Sequence, residues 1–181
     1  KKEIRSRANR LMRQYSENYL QTAREYAEFG AYQNAIEVLE ECTEHNPMLN
    51  YYKAYYLNKI GKENAAVLEK AEKECPDYCF PNKLEDIQVL SMAIQQNPDG
   101  AKAYYYLGNL YYDKMQYEKA IALWEKSVEL DGTFPITRRN LALAYFNKRG
   151  EKEKAQEMLE KAFSLDSSNS RIFLELDQLY K

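Results

Sequence analysis

The segment AKAYYYLGNLYYDKMQYEKAIALWEKSVELDG, residues 101–132, divides into two halves of helix length. The next segment, PITRRNLALAYFNKRGEKEKAQEMLEKAFSLDS, residues 135–167, repeats its pattern, so that Tyr111 recurs as Tyr145 after 34 residues. A period near 34 residues with two helices in each period indicates stacked antiparallel helix hairpins. A hairpin of this kind buries only one side by itself, so we expect its stability to come from stacking on its neighbours.

The composition favours the same all-α fold. The chain has only 6 Gly and 5 Pro in 181 residues, which predicts long regular elements joined by short connections. Ala, Leu, Glu and Lys, all good helix formers, dominate the segments between these breaks. With 45% hydrophobic residues and a net charge of −2, the chain can bury a core and offers no overall field for nucleic acid. No apolar run approaches the roughly 20 residues that a membrane span needs, so membrane insertion is not expected.

The first fifteen residues, KKEIRSRANRLMRQY, carry six basic residues and one Glu. Ile4, Ala8, Leu11 and Tyr15 are spaced as one helical stripe, so we predict an amphipathic lead-in helix rather than an arm for nucleic acid or a membrane. The chain begins at Lys1 without a methionine or a signal-like segment, which is typical of a piece of a larger protein.

The cysteines do not predict a metal site. Cys42, Cys75 and Cys79 make an odd number, and the only histidine is His45. These residues cannot complete a four-ligand site without carboxylates, and small buried thiols are expected instead. We also find no serine elbow and no phosphate-binding glycine loop, so neither a cofactor nor an enzyme activity is expected.

The repeat resembles the tetratricopeptide repeat (TPR), whose pattern is an aromatic-x2-Leu-Gly-x2-Tyr followed by Ala-x3-aromatic. The residues that meet this pattern are Tyr104, Leu107, Gly108, Tyr111, Ala120 and Trp124. The resemblance implies a right-handed superhelical solenoid of antiparallel helix hairpins. It also implies that Gly108 and Ala120 allow the two helices of a hairpin to approach closely.

The same resemblance predicts the organisation of the chain. The predicted parts are a helical lead-in (1–15), a TPR unit (16–49), a degenerate unit (50–76), an irregular half unit (77–100), two TPR units (101–134 and 135–169) and a C-terminal or capping helix (170–181).

The irregular part departs from the family because only 22 residues separate Pro76 from Pro98. We predict one helix over 82–97, and its predicted apolar face consists of Leu84, Ile87, Leu90, Ala93 and Ile94. The unit at 135–169 carries one extra residue in its 147–150 turn.

More narrowly, the segments YYKAYYLNKIG, DYCFPN, AYYYLGNLYYDK and LELDQLYK resemble the C-terminal TPR arrays of large bacterial proteins of unknown function. In those proteins a β-sandwich region related to mutarotase-like domains lies upstream. The resemblance implies a carbohydrate-linked context for the parent protein and no sugar chemistry in this part of it.

The five tyrosines of YYYLGNLYY, residues 104–112, fall on two helical stripes. We predict that Tyr104 and Tyr111 belong to the core and that Tyr105 and Tyr112 line the concave groove, while Tyr106 is left unassigned. In TPR proteins the first helix of each hairpin lines that groove. By this analogy the predicted partner-binding residues are Tyr51, Tyr55, Tyr105, Asn109, Tyr112, Arg139, Asn140, Phe146 and Arg171.

Some TPR proteins hold a partner's terminal carboxylate with asparagines and basic residues. Asn109, Asn140 and Arg171 match part of that pattern, whereas Tyr105 and Glu175 stand where basic residues would be. Glu175 would repel a carboxylate. Arg139, one position before Asn140, would compensate for this repulsion with its positive charge.

The function implied by the resemblance is a non-catalytic scaffold that binds a peptide or partner protein in the concave groove. The alternative is a structural spacer or oligomerisation array that self-associates and is attached to a carbohydrate-related domain. Direct glycan binding by stacked tyrosines is a third hypothesis. The compartment is left open, with the cytoplasm favoured.

Overall fold

The computed structural model describes residues 6–7, 10–76 and 79–180. Within these ranges the chain forms helices and no strand, which confirms the all-α prediction. The α-helices are α1 (Ser16–Glu28), α2 (Tyr32–Glu40), α3 (Pro47–Lys59), α4 (Ala65–Lys73), α5 (Leu84–Gln96), α6 (Ala101–Asp113), α7 (Tyr117–Leu130), α8 (Pro135–Ala144), α9 (Lys152–Leu165) and α10 (Ser170–Tyr180).

The helices belong to two compact units. The first unit comprises the chain up to Cys79 together with Ser91–Asn97, and the second comprises Phe80–Leu90 together with the chain from Pro98 onward. In the first unit, α1 packs against α2 and α3 packs against α4. In the second unit, α6 packs against α7, α8 packs against α9, and α10 packs against α9. Each unit is therefore built from antiparallel hairpins, as the repeat predicts.

Three glycines end helices inside the hairpins. Gly30, Gly61 and Gly150 have φ angles of +72°, +67° and +67°, in the left-handed region where other residues are strained. A left-handed residue at this position lets the chain reverse and satisfies the last helical carbonyls. The turn before Gly150 is a π-helical segment, Tyr145–Arg149, which accommodates the extra residue found in the sequence.

The predicted lead-in and the irregular half unit are described only in part. Residues 1–5, 8–9 and 77–78 lie outside the described residues, and Leu11 and Tyr15 of the predicted lead-in stripe are exposed. The chain has no regular secondary structure over 79–82.

One predicted core position of α5 is wrong. Leu84 is 67% exposed, whereas Val89, Leu90 and Ala93 are buried. The buried face begins instead at Asp86, whose carboxylate accepts hydrogen bonds from the backbone N–H groups of Asn82 and Lys83, both across 2.9 Å. Asp86 therefore caps the start of α5 by accepting hydrogen bonds from otherwise unpaired backbone N–H groups. This capping carboxylate lies in the first turn, where the apolar stripe was expected to start.

The close approach of α6 and α7 depends on Gly108. A Cβ atom at this position would lie 2.5 Å from Cδ1 and Nε1 of the Trp124 ring, which is too short for any real contact. Trp124 is itself only 3% exposed. Gly108 therefore provides the space for the indole, as the repeat pattern predicts.

The assignment of the α6 tyrosines needs correction. Tyr104 and Tyr111, predicted to be core, are half-buried, whereas Tyr106 is fully buried and Tyr105 is 5% exposed. The cause is long-range, because the ring of Phe134, just before α8, lies edge-on to Tyr105 with the centroids 4.8 Å apart. Tyr105 is thus covered by the residue that precedes the next hairpin, whereas Tyr112 stays half-buried.

The cysteines also differ from expectation. Cys79 is buried, Cys42 is half-buried and Cys75 is exposed, so the prediction of buried thiols is wrong for Cys75. Among the described residues, no group of His, Cys, Asp and Glu side chains could hold a metal ion. No helix in the same part of the chain is long and apolar enough to cross a membrane.

Candidate partner-binding site

The second unit contains a cavity of about 380 Å³, here called the α6–α8 cavity. Its lining residues are Phe80, Tyr105, Asn109, Tyr112, Asp113, Trp124, Ile136, Arg139, Asn140 and Leu143. Five of these were predicted from the sequence as partner-binding residues, namely Tyr105, Asn109, Tyr112, Arg139 and Asn140. The structure therefore brings most of the predicted second-unit residues to one place.

Helical spacing explains how two helices line the same cavity. On α6, Tyr105, Asn109 and Tyr112 follow one another at intervals of four and three residues, which places them on one face. On α8, Ile136, Asn140 and Leu143 are spaced in the same way. Each helix thus contributes an asparagine with a large side chain one turn away on either side.

Trp124 of α7 joins these two rows. Its ring centroid lies 5.3 Å from that of Tyr112. Its indole Nε1 donates hydrogen bonds to the backbone oxygen of Tyr105 across 3.2 Å and to Oδ1 of Asn109 across 3.1 Å. The indole is buried, so its one polar atom is satisfied by the α6 residues that line the cavity.

The hydrogen bonds fix how the two asparagine side chains are oriented. An indole N–H can only donate, so the Asn109 oxygen must face Trp124. Nδ2 of Asn140 donates to the same oxygen across 3.1 Å. This arrangement leaves the amide nitrogen of Asn109 as a donor and the side-chain oxygen of Asn140 as an acceptor for further groups.

The only guanidinium among the lining residues is paired within the chain. Nε of Arg139 donates to Oε2 of Glu175 across 2.7 Å, and Nη2 of Arg139 donates to Oε1. The side chains of Arg139 and Glu175 are 12% and 17% exposed. Arg171, on the same helix as Glu175, places Nε 3.4 Å from Oε1. Arg139 thus offers a guanidinium whose charge Glu175 neutralises, a pairing that was not predicted from the sequence.

A cation lies against the tyrosines at one end of the cavity. The rings of Tyr112 and Tyr117 meet edge-on, with centroids 5.0 Å apart. Nζ of Lys148, from the π-helical segment, lies 4.0 Å from the Tyr117 centroid and 5.9 Å from that of Tyr112. These cation–π contacts hold the π-helical turn close to the cavity-lining tyrosine.

Tyr145 anchors the start of that π-helical segment. It is 7% exposed, and its hydroxyl donates to Oε1 of Glu125 on α7 across 2.7 Å. Burial, followed by the hydrogen bond to Glu125, raises the pKa of Tyr145 well above its ordinary value. The contact ties α7 to the junction of α8 and α9.

Other predicted site residues lie outside the cavity lining. Phe146 is 45% exposed on the π-helical segment, and Arg171 is exposed on α10. Tyr51 and Tyr55 belong to the first unit. Tyr51 is 1% exposed, and its hydroxyl donates a hydrogen bond to Oε1 of Glu72 across 2.6 Å. Tyr55 is half-buried, and Nζ of Lys59 lies 5.0 Å from its ring centroid.

Five lining residues were not among the predicted partner-binding residues. Of these, Trp124 meets the predicted repeat pattern, and Leu143 lies one helical turn after Asn140. Ile136 precedes Asn140 by four residues, so helical spacing could have identified it. Asp113, one residue beyond Tyr112, ends α6. Phe80 lies in a segment without regular secondary structure, and no local pattern indicates its position.

Comparisons with known proteins agree with the repeat pattern. The family model for the tetratricopeptide repeat matches residues 101–134, and a second model of this repeat matches residues 16–47 and 140–169. Together these matches cover more than half of the chain.

Several solved structures are similar to this chain. MamA is 21% identical, with 92% of this chain and 86% of that chain covered at a TM-score of 0.47. YrrB, "a TPR protein with an unusual peptide-binding site", is 18% identical, with 94% of this chain and 78% of that chain covered at a TM-score of 0.48. MamA from Desulfovibrio magneticus RS-1 is 22% identical, with 85% of this chain and 96% of that chain covered at a TM-score of 0.43.

Proposed function

Because the chain belongs to the tetratricopeptide repeat family, a family of protein-interaction scaffolds, we propose that its second unit binds a segment of a partner protein or peptide in the α6–α8 cavity. The observation that carries this proposal is the convergence of Tyr112, Asn109, Asn140 and Arg139 on one cavity. The same residues were predicted from the sequence by their resemblance to groove positions of TPR proteins.

The cavity walls suit an apolar side chain of the partner. Tyr112, Ile136 and Leu143 are all half-buried and line the cavity, so they keep surface available for contact. A volume of about 380 Å³ lies at the small end of the range for ligand sites, roughly 300 to 1,000 Å³. An aliphatic or aromatic anchor buried there would supply most of the binding energy.

The two asparagines suit the backbone of the same segment. Nδ2 of Asn109 would donate to a carbonyl oxygen, and Oδ1 of Asn140 would accept from an N–H group. A peptide backbone presents this donor and this acceptor in every residue except proline, so the pair would recognise an extended chain without reading its sequence. The anchor would then determine selectivity.

We propose binding and no catalytic role for this site. The lining residues include no Ser, Cys or His, and their acidic member, Asp113, is exposed beside Lys114, whose Nζ lies 2.8 Å from its carboxylate. A nucleophile with an adjacent base, the usual signature of covalent catalysis, is therefore missing from the lining.

The test uses Trp124, the single tryptophan of the chain, as a reporter inside the cavity. Peptides would be selected from a displayed random library, about twelve residues long, and titrated against the protein while Trp124 emission is recorded. Leu143→Ser should weaken binding by roughly tenfold or more, because it removes an apolar wall. Leu174→Ser, at an exposed position of α10 outside the cavity lining, is the matched control.

Leu143 is a better target than Tyr105. Tyr105 is 5% exposed and contacts Phe134, so truncation to Ala would disturb the core as well as the cavity. Equal binding by the Leu143→Ser and Leu174→Ser proteins would contradict the proposal, as would selection of no peptide by the folded protein.

A further inference from the structure

The guanidinium of Arg139 can bind an anion, and within this chain it binds the carboxylate of Glu175. A guanidinium holds a carboxylate most strongly through two parallel hydrogen bonds, and Glu175 receives both from Arg139. Both side chains are mostly buried, which strengthens the pair and limits its screening by salt. A second guanidinium, that of Arg171, lies against the same carboxylate.

Glu175 reaches this pair from another part of the unit. It lies on α10, and 36 residues separate it from Arg139 on α8. Without its charge, Arg139 at the cavity wall and Arg171 nearby would lose the carboxylate that both guanidiniums contact. The charge of Glu175 therefore determines whether the cavity wall at Arg139 is neutral or positive.

We propose that Glu175 sets the charge selectivity of the α6–α8 cavity, an inference that rests on the proposed function. By holding Arg139, it excludes partner segments that carry a carboxylate beside their apolar anchor. Such a carboxylate would find the guanidinium of Arg139 already neutralised by Glu175. The accepted partner segment has an apolar anchor flanked by uncharged or basic residues.

The experiment compares peptide selection by the native protein and by the Glu175→Gln variant, using the same displayed random library. The native protein should select anchors depleted in neighbouring Asp and Glu. The variant should enrich Asp and Glu at these positions on the order of tenfold over the native protein, because an unbalanced, partly buried guanidinium attracts a carboxylate. The gain should shrink as salt concentration rises.

Two controls separate this effect from changes in net charge or folding. Glu129→Gln removes one carboxylate from an exposed position of α7 that pairs with Lys126, and it should select the same peptides as the native protein. Adding Arg139→Gln to Glu175→Gln leaves a neutral pair at the wall, and it should abolish the enrichment. Circular dichroism and urea unfolding establish that each protein is folded.

The outcomes are distinguishable. Peptides with the same frequency of Asp and Glu from the native protein and the Glu175→Gln variant would overturn the charge selectivity and leave the proposed function in place. An enrichment that survives the added Arg139→Gln change would show that Arg139 is not the receptor. Selection of no peptide by any folded protein would overturn the proposed function and this inference together.

Discussion

The indole nitrogen of Trp124 donates a hydrogen bond to the side-chain oxygen of Asn109, with 3.1 Å between the two atoms. This contact joins the buried interface between α6 and α7 to the wall of the cavity. Because an indole nitrogen only donates, it fixes which end of the Asn109 amide remains available. A residue of the repeat core thus determines the chemistry offered to a partner.

Replacing Trp124 with Phe tests this link. The ring is largely retained, but the Asn109 oxygen and the Tyr105 carbonyl both lose a donor. We expect the free energy of unfolding to fall by about 1 to 3 kcal/mol. We also expect weaker binding of a selected peptide in isothermal titration calorimetry. Unchanged affinity in a destabilised protein would show that the orientation of Asn109 does not matter for binding.

Gly108→Ala should destabilise the second unit. The added Cβ would lie 2.5 Å from the Trp124 ring, so the helices must separate or the indole must move. Overpacking of this kind costs about 1 to 3 kcal/mol, measurable by urea unfolding. At Gly132 the nearest atom would be Nη2 of Arg138 at 3.0 Å, the end of a flexible side chain. Gly132→Ala is therefore expected to cost less, and equal losses would contradict this explanation.

The repeat pattern predicted the helices and the cavity face of α6 because both depend on local periodicity. Asn109 and Tyr112 are three residues apart, and any helix that contains them presents them together. The extent of burial could not be predicted in the same way. Tyr105 is covered by Phe134 and Tyr104 is not, which depends on how the next hairpin packs.

Contacts between distant residues also escaped prediction. The resemblance to TPR proteins identified Arg139 as a basic residue of the groove. It did not predict that two hydrogen bonds join Arg139 to Glu175, because the two residues are 36 positions apart. Phe80 reaches the cavity from a segment without a periodic pattern. Both features depend on tertiary packing, which a local pattern does not specify.

The raised pKa of Tyr145 predicts a loss of stability in alkaline solution. The folded state favours the neutral phenol, so its folded pKa lies above the unfolded value of about 10. This contribution to stability is complete below the unfolded pKa and is lost as the pH rises from there toward the folded pKa. Between about pH 9 and about pH 11, the native protein should lose roughly 1 kcal/mol more unfolding free energy than Tyr145→Phe.

The comparison between the two proteins isolates Tyr145. The pKa of Tyr19 is also raised, first by burial, but Tyr19 is present in both proteins. At neutral pH the Phe variant should be less stable, because it lacks the hydrogen bond to Glu125. Parallel pH profiles for the two proteins would contradict the assignment.

Thr137→Val should stabilise the second unit. Thr137 is fully buried on α8, and its hydroxyl has no hydrogen-bond partner among the described residues. Valine has nearly the same shape and no polar atom to bury, so we expect a gain of about 1 kcal/mol in thermal or urea unfolding. Thr133→Val is the control, since the Thr133 hydroxyl donates to Asp131 across 2.6 Å and its removal should not stabilise. A loss of stability at Thr137 would show that its hydroxyl is satisfied in solution.

The most direct test of partner binding in the α6–α8 cavity is a titration of a library-selected peptide followed through the side-chain amide NMR signals of the asparagines. We predict that the signals of Asn109 and Asn140 shift in a saturable way, with a matching change in Trp124 emission. The signal of Asn18, in the first unit, whose Nδ2 donates to the Met12 carbonyl across 2.8 Å, should move least. A peptide that binds and leaves the Asn109 and Asn140 signals unchanged would contradict the account.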